Sequence, residues 1–297
     1  METFNNIDTI LLRRNNHDYF FKYLTDYSLS SCYKEHLSVF EMMIRKLFRN
    51  LNEPCSFLYE SWKYHVKSCK RVIIFDMGYE KTITKYIKKI NPLCTIHVFF
   101  FNTIKNDIYS VVQNDKNVDY IWTFDRADAK KYGFRFNTPM YTYNLYTEYI
   151  KNVPSVVFVG AAKSREEEIM QIQQEINKAG IKTNFRIVRD KSDYIKYDEY
   201  LSLIRDSNCI LDVTNEGQTG LTLRFMEALF LSKKLITNNK DVLSYPFYNQ
   251  HNIFILGYDP LEKLGEFLTQ EYHPIKKEII LYYDFDNWVK RFIEVEK

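Results

Sequence analysis

Apolar residues change their spacing several times along this chain, and each change marks an element. Between His36 and Leu51 the positions Leu37, Phe40, Met43, Ile44, Leu47 and Leu51 recur every three or four residues, which predicts a helix. Pro54 interrupts the pattern and Phe57 to Val66 reads as a second, aromatic-rich helix, so residues 1–70 are expected to be helical and irregular. From Arg71 the period changes. Val72-Ile73-Ile74-Phe75 is an unbroken apolar run of the kind that forms a parallel strand buried on both faces. A helix pattern follows through Ile90, then strands over 96–101 and 120–124, with helices over 107–112 and 125–131, the latter closed by Gly133. Strand and helix alternating across short turns predict a parallel α/β sheet.

The alternation lapses between Phe136 and Pro154, a Tyr/Asn-rich stretch expected to be a linker. A second series then predicts strands over 156–160, 184–188, 209–213, 234–237 and 252–256. Its helices are expected over 165–178, 197–205, 222–230, 261–268 and 287–295. Two such series predict two Rossmann-like α/β domains, 1–145 with a helical N-terminal extension and 146–297.

Composition narrows the function classes. A chain of 297 residues with 45% hydrophobic content has room for two cores and is no disordered polymer. The net charge is +3, too small for a protein that tracks phosphates along a nucleic acid, although a local basic face toward a membrane stays open. Tyrosine (24) and phenylalanine (22) supply a large core and, through the hydroxyls, polar edges suited to sugars. The five cysteines at 32, 55, 69, 94 and 209 form no Cys-x-x-Cys, which points to reduced thiols in a cytoplasmic setting. The N-terminus has no signal-peptide pattern, and no apolar run approaches the roughly 18 residues of a membrane span. A cytoplasmic protein, at most peripheral to a membrane, is expected.

Ligands of open α/β sheets sit beyond the carboxyl ends of the strands, so three strand-to-helix turns draw attention. Gly160-Ala161-Ala162-Lys163-Ser164-Arg165 puts a glycine, small residues and two cations at a helix start, where backbone N–H groups already favour an anion. The alternative is an ordinary turn with exposed cations. The stretch from Asp212 to Leu229 concentrates Glu216, Gly217, Gln218, Thr219 and Gly220 before a helix carrying Arg224 and Glu227. These last two are three residues apart, and a surface ion pair between them is the plain alternative. Asp76 in Phe75-Asp76-Met77-Gly78 could serve as a general base for an acceptor hydroxyl or simply cap the following helix.

Glu216-Gly-Gln-Thr-Gly-Leu-Thr-Leu-Arg-Phe-Met-Glu-Ala-Leu229, followed by Lys233-Lys-Leu-Ile-Thr-Asn-Asn239, resembles the donor-binding signature of GT-B glycosyltransferases. It is similar in particular to bacterial transferases of capsule, O-antigen and lipopolysaccharide biosynthesis. Tyr120 to Gly133 and Phe158 to Arg165 resemble the same group, and the likeness spans about 71–257. It implies two Rossmann-like domains in GT-B arrangement, a nucleotide-sugar donor on the C-terminal domain, and a glycan or lipid-linked glycan acceptor on the N-terminal one. By position, Lys163 and Arg165 would face the diphosphate, Glu227 the ribose, and Gln218 and Thr219 the phosphate or sugar. The family's two glutamates stand closer together than Glu216 and Glu227, so either the loop is longer here or Thr219 takes the first position.

Asp284-Phe285-Asp286 matches a metal-holding Asp-x-Asp, but its place before an amphipathic helix reads as helix capping. The six histidines are scattered and form no ligand pattern. No metal and no cofactor beyond the donor is therefore expected. The sequence thus reads as a metal-independent glycosyltransferase acting at the cytoplasmic membrane face. A catalytically silent GT-B-like partner subunit and a small-anion or nucleotide-binding module stand as alternatives.

Overall fold

The computed structural model of the chain describes residues 8–14, 19–24, 28–104, 106–151, 153–161, 163–214 and 220–296. The chain forms two compact units, 1–17 with 24–137 and 18–23 with 138–297. Both are α/β with an all-parallel sheet.

The first unit is built on strands β1 (Thr9–Arg13), β2 (Ser28–Ser31), β3 (Arg71–Phe75), β4 (Thr95–Phe100), β5 (Tyr120–Thr123) and β6 (Arg135–Phe136). Their order is β2-β1-β3-β4-β5-β6, with Ile73 aligned to Leu11 on one side and His97 on the other. Every residue of β3 is buried, as an apolar run covered on both faces requires. Helix α1 spans Val39–Asn50, α2 Lys81–Ile90, α3 Asn106–Gln113 and α4 Arg126–Tyr132. α2 buries Thr82, Ile83, Thr84 and Ile87, one stripe of its surface, against a core that includes Tyr59, Trp62 and Ile74. α4 begins where Asp125 accepts from the N–H groups of Ala127 and Asp128 and ends at Gly133, whose φ of 69° is the left-handed cap expected of glycine.

Two sequence expectations for this unit are corrected. The N-terminal region is not a helical extension, because β1 and β2 extend the sheet. The aromatic stretch 57–66 is not a helix but two short 3-10 turns, Ser56–Leu58 and Ser61–Tyr64, held by the Trp62 indole N–H donating to Cys32 O at 3.0 Å.

The second unit contains β7 (Ser155–Gly160), β8 (Lys182–Ile187), β9 (Cys209–Asp212), β10 (Lys234–Thr237) and β11 (Ile253–Ile255), in the order β11-β10-β9-β7-β8. Helices α5 (Glu166–Lys178), α6 (Tyr197–Asp206), α7 (Leu223–Phe230), α8 (Leu264–Thr269), α9 (Lys277–Tyr282) and α10 (Phe285–Glu294) complete it. The first strand, β7, lies between β8 and β9. The chain therefore steps from β7 to β8 on one side and then crosses back to β9 on the other, a reversal of strand order that opens a crevice at the carboxyl ends of β7 and β9.

The expected linker is part of this unit. Tyr141 N–H donates to Tyr283 O, Thr147 N–H to Phe230 O, and the Trp288 indole to Thr138 O at 2.9 Å. Division into units falls at 137/138, before the 145/146 expected from sequence, because these bonds tie 138–147 to α7 and the C-terminal helices. Residues 19–23 join the same body, with Phe20 buried 5.0 Å from the Tyr141 ring and Lys22 paired with Asp198 at 2.6 Å. Among the described residues no helix is long and apolar enough to cross a membrane.

Candidate functional site

At the carboxyl end of β7, between α6 and the start of α7 and beside the β7/β9 crevice, the second unit has a cavity of about 330 Å³, within the range of small-ligand sites. Its floor is the end of β7, Val159 to Ala161, and its walls are Tyr19, the α6 residues Tyr197 and Tyr200, and the α7 residues Arg224 and Glu227.

Arg224 crosses the crevice. Its Nη2 donates to Val159 O at 2.7 Å and its Nη1 to Asp212 Oδ1 at 3.2 Å, joining the carboxyl ends of β7 and β9. The guanidinium carbon stands 5.3 Å from the Phe158 ring centroid. This path needs glycine at 160, because a Cβ there would stand 2.5 Å from Nη2. Asp212 is wholly buried. That burial raises its pKa, and the Arg224 charge opposes the rise. Arg165 turns back onto the same strand ends, donating to Ala161 O at 2.7 Å and to Val213 O.

One turn further along α7, Glu227 is 1% exposed. Tyr197 donates to its Oε1 at 2.9 Å and Tyr200 to its Oε2 at 2.7 Å, while the Tyr141 and Tyr197 hydroxyls share a further bond at 2.7 Å. Burial raises the Glu227 pKa, and the two tyrosine hydroxyls and Arg224 pull it down. Each carboxylate oxygen retains acceptor capacity beyond its tyrosine.

The helix starts around the crevice differ in charge. α5 carries Glu166, Glu167 and Glu168 in its first turn, which already answer its dipole. α7 has no acidic residue in its first turn, and its N-cap Thr222 makes no side-chain capping bond. Its leading N–H groups and Arg224 make this the start better suited to an anion.

No protein-family model matches the chain, and no curated protein matches it. Among solved structures it is similar to a chain of the Glycosylation Associate Protein (Gap123) complex from Streptococcus agalactiae, at 12% identity and a TM-score of 0.37. That match covers 95% of this chain but 58% of the other, so the chain spans less than two thirds of that relative's length. A second, the NAD+-bound 3-phosphoglycerate dehydrogenase of Entamoeba histolytica, is 9% identical with a TM-score of 0.20, covering 87% of this chain and 89% of that one. At such similarity the α/β assignment rests on the strand order itself.

Of the residues singled out from sequence, Gly160, Arg165, Arg224 and Glu227 lie at or beside this crevice. Arg224 and Glu227 are not the surface ion pair that their spacing allows. Arg224 pairs with Asp212 and Glu227 bonds to tyrosines. Glu216, Gly217, Gln218 and Thr219 lie outside the described residues, as does the side chain of Lys163, and Gly220 is a buried bend leading to α7.

Asp76 belongs to the first unit and does not cap α2, whose N-cap is Glu80. Its Oδ1 accepts from Phe101 N–H at 3.3 Å and its Oδ2 from Asn102 Nδ2 at 3.1 Å, and its burial raises its pKa. Asp284 stands at the N-cap position of α10, but its carboxylate accepts from Tyr143 N–H at 2.7 Å, fastening the 138–147 segment instead of capping the helix. The paired lysines of the resemblance are also fastenings. Lys233 Nζ donates to Arg205 O at 2.8 Å and Ser207 O at 2.6 Å, and Lys234 Nζ to Phe267 O and Gln270 O at 2.5 Å each. They thus serve carbonyls at the ends of α6 and α8. Sequence reasoning missed Asp212, Tyr141, Tyr197 and Tyr200 as site residues. The available signal was the three-residue spacing of Tyr197 and Tyr200, which puts both hydroxyls on one side of α6.

Proposed function

We propose that the chain is a glycosyltransferase whose nucleotide-sugar donor binds in the β7/β9 crevice of the second unit, within the GT-B class to which the sequence resemblance points. One observation carries the reading: a single helix, α7, presents a cation and a buried carboxylate into a tyrosine-walled cavity at the switch between β7 and β9. A nucleoside diphosphate needs that set of groups. The diphosphate lies at the α7 start near Arg224, the ribose hydroxyls donate to Glu227, and the base rests among the tyrosines. As the glycosidic bond breaks, negative charge grows on the departing diphosphate, where backbone N–H groups and Arg224 stabilise it. On this reading donor binding needs no metal. The acceptor is a glycan or lipid-linked glycan, and the protein works at the cytoplasmic face of a membrane.

The catalytically silent reading is favoured by one observation, the engagement of both Asp76 carboxylate oxygens within the first unit. It shares the donor site and differs in turnover. Calorimetry with UDP-, GDP-, CMP- and dTDP-linked sugars, without metal, tests the common part, repeated on Glu227→Gln and Tyr200→Phe. Selective binding of one nucleotide, weakened about tenfold or more by Glu227→Gln, is expected, since a lost hydrogen bond to a charged group costs about 1.5–3 kcal/mol. If none of the four binds, both readings fall. Slow donor hydrolysis in the bound complex separates the transferase from its silent counterpart.

A further inference from the structure

Two of the five cysteines meet in the core of the first unit. All five are free thiols, yet Cys69 Sγ lies 3.5 Å from Cys94 Sγ, within hydrogen-bond reach. Cys69 stands just before β3 and Cys94 just before β4, neighbouring strands in which Arg71 is aligned with Thr95. The two cysteines are 25 residues apart in the chain, so it is the parallel pairing of β3 with β4 that brings them together.

Backbone bonds fix both turns. Cys69 N–H donates to His65 O and Cys94 N–H to Asn91 O, each at 3.1 Å. The Asn91 side chain reaches across to the other turn, its Nδ2 donating to Val66 O at 3.0 Å and Cys69 O at 2.9 Å. Thr95 N–H donates to Lys70 O at 2.9 Å, and Lys88 Nζ holds Cys94 O at 2.8 Å. A disulfide requires its sulfurs about 2.05 Å apart, so closure moves each of these by about 0.7 Å. That is a step on the scale of side-chain rotation, not of backbone rearrangement.

The two thiols are chemically unequal. With Cys94 S–H as the donor, that hydrogen bond and the charge of Arg71 hold the Cys69 pKa below the usual thiol value against the effect of burial, while Cys94 is raised. Cys32, Cys55 and Cys209 are all raised by burial, Cys32 to about 12. Cys69 is also 3% exposed, whereas Cys94 is fully enclosed. A thiol inclined to ionise, beside a second thiol that can displace what forms on it, is the arrangement that a peroxide oxidises reversibly.

We propose that Cys69 and Cys94 form a reversible dithiol–disulfide site, oxidised by small hydroperoxides, whose bond staples the starts of β3 and β4. The Cys69 thiolate attacks the outer oxygen of the peroxide, the O–O bond breaks, and the released hydroxide or alkoxide takes up a proton and leaves as water or alcohol. The Cys94 sulfur then attacks the Cys69 sulfenic acid. Its proton goes to the departing hydroxide, so one S–S bond forms and one water leaves. The two sulfurs together pass two electrons to the peroxide, and a dithiol reductant returns them.

The test treats the full chain with hydrogen peroxide in native buffer, unfolds it in excess alkylating reagent and maps the peptides by mass spectrometry. Alkylated cysteines are expected to fall from five to three, with Cys69 and Cys94 in one cross-linked peptide that dithiothreitol separates. Cys94→Ser should stop at a Cys69 sulfenic acid that dimedone traps, and Cys69→Ser should slow the loss of thiols about tenfold or more. Melting curves check the fold of both variants, and the map of the parent chain decides the bridge even where a variant fails to fold. The bridged parent should melt at least about 5 °C above the reduced form, because the bond closes a loop in the unfolded chain. Five alkylated cysteines after peroxide, a bridge between any other pair, or a bridged chain that melts no higher overturns the proposal. A Cys69 sulfinic acid formed without a bridge overturns it in favour of a single oxidisable thiol.

Discussion

Replacing Arg224 by Met tests the centre of the crevice. Met keeps an apolar stem against Phe158 while removing the only charge that an ion pair gives to Asp212 among the described residues. Asp212 is 0% exposed, so its carboxylate cannot turn to water for compensation. Breaking a buried pair by removing one partner costs about 3–5 kcal/mol. Two features move the expectation to about 3 kcal/mol, the lower end of that range. The Arg224 side chain is 20% exposed, and the charge of Arg165 also acts on Asp212. Removing both charges, as Asp212→Asn with Arg224→Met, should restore all but about 1–2 kcal/mol, so the double variant is expected to be about 1–2 kcal/mol more stable than Arg224→Met alone. Urea unfolding of the four proteins measures the cycle, followed by circular dichroism and by the combined fluorescence of Trp62, Trp122 and Trp288.

A pH signature accompanies that cycle. Without Arg224, burial of Asp212 is opposed only by Thr222 and the more weakly acting Arg165, which lifts its folded pKa further above the unfolded value of about 3.9. A raised folded pKa leaves stability in place below the unfolded value and removes it as pH climbs through the folded one. The deficit of Arg224→Met is therefore largest near neutral pH and narrows toward about pH 4. A loss under about 1 kcal/mol, or four values that simply add, would refute the account of a buried pair joining the strand ends.

Gly160→Ala should cost about 1–2 kcal/mol by pushing Arg224 off Val159 O, and nearly nothing in the Arg224→Met background, a coupling that paired urea titrations measure. Glu227→Gln should gain stability relative to the parent as pH rises from about 4.3, because the raised pKa of Glu227 makes the parent lose stability through that window and glutamine does not titrate. Melting curves from pH 4 to 7 check the sign. Tyr197→Phe removes the donor to Glu227 Oε1 and the partner of Tyr141, and should cost about 1–2 kcal/mol in the same unfolding assay. Lys234→Met leaves the Phe267 and Gln270 carbonyls unserved and should cost about 1–3 kcal/mol, read in the same unfolding assay.

The sheets were legible where their strands were apolar throughout. β3 is a continuous hydrophobic run with every residue buried, and Val156 to Val159 in β7, Cys209 to Leu211 in β9 and Val98 to Phe100 in β4 are runs of the same kind. β2 was hidden because Ser28-Leu-Ser-Ser has a single apolar residue, and its place at the sheet edge asks for little more. Periodicity found α1 but could not show which part of its apolar arc is covered, since a stripe facing a core and a stripe facing outward have the same spacing. The 136–154 stretch looked like a linker because its tyrosines and asparagines carry no period, yet backbone bonds to Phe230 and Tyr283 make it part of the second unit. Such bonds leave no trace in side-chain pattern.

The candidate site shows the same division between local and tertiary information. Spacing alone places Arg224 and Glu227 on one face and suggests that they meet, which is the best inference from a helix in isolation. Their partners come from elsewhere in the chain, Asp212 from β9 and the tyrosines from α6, because strand order brings those segments to the crevice. Helix charge then separates two turns that look equally able to hold an anion. The Gly160–Arg165 turn has the small residues and cations, but it leads into three glutamates, and Arg165 is spent on the Ala161 and Val213 carbonyls. The α7 start lacks a glycine-rich cation run of its own, yet its first turn bears Arg224 and no acid. An anion entering the crevice meets less opposing charge there, so reversing that one feature should matter more than any change at the other turn. Leu223→Glu puts a carboxylate in the first turn of α7 and should weaken binding of the preferred nucleotide diphosphate, whereas Glu166→Gln at α5 should change it by less than about twofold, as expected of dipole effects of about 0.3–1 kcal/mol that fade within one turn. Calorimetry on the two variants decides between the turns, and the reverse ranking would return the diphosphate to the start of α5.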